Sequence, residues 1–271
     1  MIHLVTALPC EAKPLIRRYR LHGRQRENGF RIYENEQLRL IISGIGSCAA
    51  AAACAYLQGA DPRARHVWIN LGVAGHPHLD VGEAVLAHKL SDAASGNTWY
   101  PPLPFQPPCA TVDLVSVAQA EHAYPDNSAY DMEAAGFYAA ASRFNSHELV
   151  HVFKVISDNA AHPADQLTAV QVEALIDARL DCLDALLQTL TQLDQQLAEQ
   201  QATAAIMDTF LQRWHFSVAQ QHQLQRLLQR CQALGETRPD VEDFAGARNS
   251  RQVITALRQR IDAMPLSFAP A

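Results

Sequence analysis

The stretch LRLIISGIGSCAAAAACAYLQG, residues 38–59, decides the fold class. Its opening LRLII reads as a strand, SGIG as a glycine turn, and the alanine run from about Ser47 to Leu57 as a helix closed by Gly59. The helix carries almost no polar side chains, so it must be buried between other elements. Just upstream, RIYENEQLRLIISG (31–44) breaks into two β-rich pieces around ENEQ and predicts a hairpin. Strand, tight turn and buried helix in succession is the signature of an α/β layer structure.

Working outward, IHLVTAL (2–8) is a short apolar run ending at Pro9 and reads as a buried strand. HVWINLGVAG (66–75), EAVLAHKLSD (83–92), ATVDLVSV (110–117) and LVHVFKVISD (149–158) read the same way. SGNTWYPPLPFQPPC (95–109), rich in proline and aromatics, reads as loop, and the turn-rich AYPDNS leads into a helix carried by DMEAAGFYAAASRF. The expected fold is α/β, with a central mixed sheet and helices on both faces.

The character changes at about Asp165. AVQVEALIDARLDCLDALLQTLTQLDQQLAEQ predicts one long amphipathic helix. Residues 202–271 add two more helical patterns, in which Leu211, Trp214, Leu224, Leu227, Leu228 and Leu234 form a packed seam. The expected organisation is an α/β domain over residues 1–200 and a helical extension over 201–271, with the boundary between 195 and 203.

Composition bounds the function. Hydrophobic residues make up 48% and charged residues 18%, as in an ordinary globular enzyme. A formal net charge of −6 offers no electrostatic basis for binding nucleic acid. The 202–271 region has eight arginines against six acidic residues, too balanced to change that. Six scattered cysteines, with no CxxC pair, read as buried thiols in a reduced compartment. His76 and His78 flank a proline with no third ligand nearby, so a turn is favoured over a metal site. No apolar run reaches membrane-span length, and MIHLVTALPC lacks the basic start of a signal peptide. The expected location is the cytoplasm.

In sheets of this kind ligands bind beyond the carboxyl ends of the strands. The polar residues there are Glu11, Ser43 to Gly46, Asn70, Gly72, Gly75 and Ser157–Asp158, with Met132–Glu133 opening a helix. Three carboxylates are thereby expected on one cleft rim, beside glycine turns that admit a ligand to the backbone. Read alone, Met132 is equally a core residue, Glu133 a first-turn acid favoured by the helix dipole, and SDNA a polar turn.

Five segments in order, ALPCEA (7–12), SGIGSCAAAA (43–52), INLGVAGHPHLDVGEAV (69–85), DMEAAG (131–136) and VISDNA (155–160), resemble the nucleoside phosphorylase/nucleosidase superfamily. The chain is most similar to the methylthioadenosine/S-adenosylhomocysteine nucleosidases, over roughly residues 1–195. The resemblance implies a three-layer fold, no metal or organic cofactor, a homodimer, and hydrolysis of the N-glycosidic bond of a purine nucleoside. It implies that Glu133 holds the ribose hydroxyls, that Met132 lies against the sugar, and that Asp158, oriented by Ser157, assists departure of the base. It implies that Glu11 directs water, that Ser43 and Gly46 form the turn beside water and ribose, and that Val73 and Ala74 line the pocket.

The family's phosphorylases hold phosphate with a Gly-Asp-Pro-x-Arg motif and a second arginine; here those places read LPCEAK and SGIGSC. Water is therefore the expected nucleophile, with phosphorolysis the alternative on the same scaffold. This chain is also much shorter than the nucleosidases between EAVLAHKL and Met132, where they carry a base-stacking phenylalanine. Trp99, Tyr100 or Phe105 is the expected substitute, against a loop packed by its own aromatics. That shortening supports a third reading, a catalytically inert nucleoside-binding or scaffold module acting through its tail. The tail has no counterpart in the nucleosidases; packing or an interface is expected first, docking of a protein partner second.

Overall fold

The computed structural model describes residues 1–23, 29–62, 65–164, 167–234 and 239–263. The chain divides into two compact units, Met1–Asp194 and Gln195–Ala271, with the divide inside the span of one long helix.

The first unit is built on ten strands. β1 (Ile2–Thr6) leads into α1 (Pro9–Arg18), then β2 (His22–Gly23), β3 (Arg31–Glu34) and β4 (Leu38–Ile42). α2 (Ser47–Ala60), β5 (Val67–Gly75), β6 (Ala84–Asp92), β7 (Thr98–Trp99) and β8 (Ala110–Ser116) follow. β9 (Ala129–Asp131), α3 (Ala134–Ala141) and β10 (Val150–Asp158) complete the sheet, and α4 (Ala169–Asp177) and α5 (Leu180–Arg213) come next. The expected hairpin is β3–β4, paired antiparallel from Arg31↔Ile42 to Glu34↔Arg39.

β5 lies at the centre and is buried almost throughout. One of its edges carries β10 in parallel from Trp68 to Gly75. The other carries β1 in parallel, but only as far as Val5↔Asn70, and then β9 at the single pair Gly75↔Tyr130. β10 pairs β6 antiparallel, β6 pairs β8 parallel and β8 pairs β9 parallel. Strands β5, β10, β6, β8 and β9 thus close on themselves, while β1, β4, β3 and β2 continue the open side. The expected mixed sheet is present. The segment read wholly as loop differs: Thr98–Trp99 within it pairs with β6 at Ser91 and Leu90, which anchors the proline-rich run.

α2 and α3 pack together over one face, with Ala50, Ala53, Cys54 and Leu57 meeting Phe137, Tyr138 and Ala141 in a single core. Gly136 makes this contact: a Cβ there would stand 2.0 Å from the Ser47 carbonyl oxygen. α1 is favoured by Pro9 in its first turn, by acidic Glu11 at its start and by basic Arg17 and Arg18 at its end. It lies beside α4, tied at the surface by Arg17 to Glu173 and Asp177.

The long helix expected from about Asp165 is two helices, α4 and α5, parted at Ala178–Arg179; Asp165 itself lies outside the described residues. Arg179 Nε donates to the Gly82 carbonyl, so the break is stapled to the end of the preceding loop.

In the second unit the two expected helical patterns are likewise divided. α5 stops at Arg213, and α6 (Val218–Ala233) restarts behind a capping box in which Ser217 accepts from Gln220 N. The last pattern contains a single-turn 3-10 segment at Val241–Phe244 and α7 (Ser250–Asp262), capped by Asn249. Trp214, Leu224, Leu227 and Leu228 join Phe210, Phe244, Val253 and Leu257 in the core, with Leu211 and Leu234 at its margin. Among the described residues no helix is long and apolar enough to cross a membrane.

Candidate active site

The topology leaves one stretch of β5 edge without a strand. β1 ends opposite Asn70 and β9 arrives only at Gly75, so the backbone between them faces a gap. A buried N–H in such a gap needs an acceptor. Glu11, in the first turn of α1, supplies it: Oε1 accepts from Val73 N at 3.1 Å, and Oε2 from Ala7 N and Leu8 N at 2.9 Å each. Three backbone donors leave an ionised carboxylate about one lone-pair direction for a further donor.

The gap opens into a cleft lined by Glu11, Val73, Ala74, Met132, Glu133, Ser157 and Asp158, together with Ile45, Glu121, Tyr130 and Asp131. Its wall therefore carries five carboxylates and, among the described residues, no lysine or arginine.

Beneath it lies Lys154, with its side chain 2% exposed and Nζ 2.8 Å from Asp131 Oδ2. Burial alone would push the lysine pKa down, but Asp131, Glu133 and Glu11 more than offset it and leave it raised. Lys154 sits opposite Gly72 in the β10–β5 ladder. A Cβ at Gly72 would stand 2.7 Å from Glu11 Oε1 and 3.4 Å from Lys154 Nζ, so the glycine makes room for both charges.

Asp131 ends β9 and organises the start of α3. Its Oδ2 accepts from Ala134 N at 2.8 Å and its Oδ1 from Ser116 Oγ at 2.5 Å, while Ser116 Oγ accepts from Ala135 N. This places Glu133 at the helix entrance, where Oε1 accepts from Gly46 N at 2.8 Å. Burial pushes the Glu11 and Glu133 carboxyls above the ordinary range, and Lys154 is the largest opposing influence on each.

Asp158 closes β10 beyond a register shift and is buried. Ser157 Oγ donates to its Oδ1 at 2.5 Å, and the Tyr124 hydroxyl donates to its Oδ2. Gly75 admits this arrangement, since a Cβ would lie 2.5 Å from Asp158 Oδ2 and 2.9 Å from the Tyr124 ring.

Of the residues singled out from sequence, Glu11, Val73, Ala74, Met132, Glu133, Ser157 and Asp158 meet on the cleft wall. Gly46 is not on that wall and touches the site through its N–H to Glu133. Ser43 does not reach it: its hydroxyl lies 3.1 Å from the Thr6 carbonyl and 2.8 Å from that of Gly44, stitching β4 to β1. None of the three aromatics expected over a base lines the cleft. Trp99 packs on Tyr138 in the core, Phe105 meets His151 edge-on, and Tyr100 is 68% exposed. They follow the alternative of a loop packed by its own aromatics because β7 fastens that run to β6, with its rings directed to core and surface. His76 and His78 form the expected turn, with His76 Nδ1 accepting from His78 N and Leu79 N.

Sequence reasoning missed Lys154, Asp131, Ser116 and Tyr124. For Lys154 a signal was present: a lysine inside the apolar run VHVFKVISD is almost never buried without a carboxylate partner. Two-residue alternation also puts it on the face shared with Ile156. Tyr124 carried no such signal, because its approach to Asp158 depends on a loop backbone in the left-handed region, φ 44°.

The fold is that of solved methylthioadenosine nucleosidases. No protein-family model matches the chain, and no curated protein does. Among solved structures, the apo 5'-methylthioadenosine nucleosidase of Arabidopsis thaliana superposes with TM-score 0.58 at 14% identity, covering 70% of this chain and 95% of that one. An MTA/SAH nucleosidase superposes with TM-score 0.59 at 14% identity and the same coverage. The futalosine hydrolase of Helicobacter pylori strain 26695 superposes with TM-score 0.52 at 18% identity, covering 69% and 97%.

Proposed function

We propose that the protein is a purine nucleosidase, an N-glycosyl hydrolase that cleaves the base from a 5'-substituted purine nucleoside with water as nucleophile. The observation that carries this reading is the cleft wall of five carboxylates with no lysine or arginine among its described residues. Such a wall repels a phosphate dianion and stabilises the positive charge that develops on a ribosyl ring as the base departs. The fold neighbours, nucleosidases and a futalosine hydrolase by name, support the same chemistry.

Each residue then has a task. Glu133, fixed by Gly46 N, accepts from the ribose hydroxyls, a role suited to an ionised carboxylate facing two adjacent donors. Met132 presents its thioether to the sugar, a soft apolar surface against an oxocarbenium-like ring. Asp158, held by Ser157 and Tyr124, hydrogen-bonds or protonates the departing purine. Glu11 uses its remaining acceptor direction to orient and deprotonate water, and its raised pKa makes it a stronger base. Lys154 favours the ionised forms of Glu11 and Glu133 against their burial.

The test is release of adenine or hypoxanthine from a panel of 5'-substituted purine nucleosides, with and without phosphate. Release in phosphate-free buffer is expected. Release only with phosphate would make the protein a phosphorylase, and binding without release would make it an inert nucleoside-binding module.

A further inference from the structure

At the opposite ends of the strands from the cleft, three potential metal ligands come together. His3 lies near the start of β1, Asp61 terminates α2 and His66 immediately precedes β5. One ligand atom from each lies within 4.8 Å of the other two, and no other such group of three occurs among the described residues. His3 and His66 are fully buried and Asp61 is 8% exposed. The two imidazoles stack with centroids 4.3 Å apart and planes inclined by 22°.

Asp61 and His66 have partners of their own; the unmet group is His3. Neither of its ring nitrogens has a hydrogen-bond partner among the described residues, and its ring packs at a right angle to Trp68 and stacks on His66. A buried polar atom left unpaired is costly, and native structures rarely keep one without a ligand or a role. His66 Nε2 faces the Asp61 carbonyl at 3.1 Å, the kind of bond a metal-bound histidine makes through its second nitrogen. Arg39, opposite His3 in the β1–β4 ladder, adds a nearby positive charge, and its guanidinium is paired with Glu34 at 2.7 Å.

We propose that His3, Asp61 and His66 hold a zinc ion, with water as its fourth ligand, that ties the starts of β1 and β5 to the end of α2. Two imidazoles and one carboxylate suit Zn²⁺, whereas Mg²⁺ and Ca²⁺ favour oxygen alone. Ligand atoms around zinc stand about 3.3 Å apart and imidazole lone pairs lie in the ring planes, so binding requires the stacked rings to tilt toward each other and the cluster to draw in by as much as about 1.5 Å. The site neither uses the cleft residues nor depends on the proposed hydrolysis.

The test uses the full chain, stripped with chelator, re-equilibrated with Zn²⁺ alone and gel-filtered. Elemental analysis is expected to find one zinc per chain. X-ray absorption should show nitrogen and oxygen at about 2.0–2.2 Å, and the melting temperature should rise. His3→Gln and Asp61→Asn are each expected to weaken zinc binding by at least ~100-fold, beyond the effect of losing an outer contact. Failure of the wild-type chain to retain zinc would overturn the proposal. So would a sulfur shell at about 2.3 Å, which would point to cysteine, or undiminished binding by a folded variant. The absorption spectrum of the wild-type chain decides the matter even if both variants fail to fold.

Discussion

Replacing Lys154 with methionine tests the electrostatic design of the cleft. The substitution keeps most of the stem volume and removes only the charge. Lys154 and Asp131 are 2% and 0% exposed in their side chains, so the variant leaves a buried carboxylate without its cation. Removing one partner of a buried pair typically costs about 3–5 kcal/mol. A second effect falls on Glu11. The Gly72 geometry puts the Lys154 Nζ and Glu11 Oε1 at most about 6 Å apart. At an effective dielectric of about 20 that is at least ~3 kcal/mol, or roughly two pH units or more on the glutamate.

Glu11 and Glu133 already titrate above their ordinary range, and losing the lysine moves them further up. The acid limb of the kcat/KM profile for base release should therefore move to higher pH by about two units. The stability gap between wild type and variant should narrow as pH falls, because protonation of the two glutamates removes charge that the lysine had balanced. Lys154 itself titrates above its ordinary value, so its contribution is fully present below about pH 10 and is lost only above that. Urea unfolding across pH 5–9, with the pH–rate profile beside it, measures both effects. A loss under about 1 kcal/mol together with an unmoved acid limb would refute the reasoning.

Other expectations follow from single contacts. Asp158→Asn retains an acceptor for Ser157 or Tyr124 but cannot donate a carboxyl proton, so base release should fall by ~10²–10⁴ with little change in melting temperature; unchanged turnover would remove Asp158 from the mechanism. Glu133→Gln keeps an oxygen for Gly46 N and should unfold within about 1 kcal/mol of wild type while turnover collapses, measured by denaturation and initial rates. Gly136→Ala drives a methyl into the Ser47 carbonyl and should cost at least about 3 kcal/mol in denaturant titration, far more than an ordinary glycine substitution in a helix. His151 is buried with its pKa lowered to about 4, so folding stability should fall as pH drops from 6.5 toward 4, by on the order of 1 kcal/mol per unit. His151→Gln should remove that slope in acid unfolding curves.

The α/β class was legible because it rests on short-range patterns. Residues 38–59 hold a strand, a glycine turn and a helix in one line, and all three form, but the helix buries only the face of Ala50, Ala53, Cys54 and Leu57 and exposes Cys48, Ala52 and Ala55, so it is not enclosed as its apolar composition suggested. The closed ring of strands was not legible, since it depends on the one pair Gly75↔Tyr130 and on where β1 stops. The helix breaks were missed for a different reason. Apolar spacing runs straight through Ala178–Arg179 and His215–Ser217, and only local hydrogen bonds, Arg179 to Gly82 and Ser217 with Gln220, interrupt it. Seven of the nine chosen site residues reach one wall because strand ends and helix starts converge by topology. Ser43 failed because a turn serine has backbone carbonyls closer at hand than any ligand.

The same charge distribution links the fold to the nucleophile proposed. Glu11 is held where a strand is missing, by an unpaired N–H of β5 and two N–H groups of the turn after β1. Those donors permit a buried carboxylate, and the lysine below permits several. A cation reaching into the cleft to hold phosphate would have to compete with this arrangement. Lys154 is not available for it, since its ammonium is engaged by Asp131 and placed behind Gly72. Conversion to a phosphorylase would therefore require more than one new arginine. It would also require neutralising Glu11, whose removal would leave Val73 N without its acceptor and the β5 edge open. On the proposed reading, water as nucleophile is tied to the way this sheet ends, and an arginine added at Ser43 or Lys13 alone should not confer phosphate dependence.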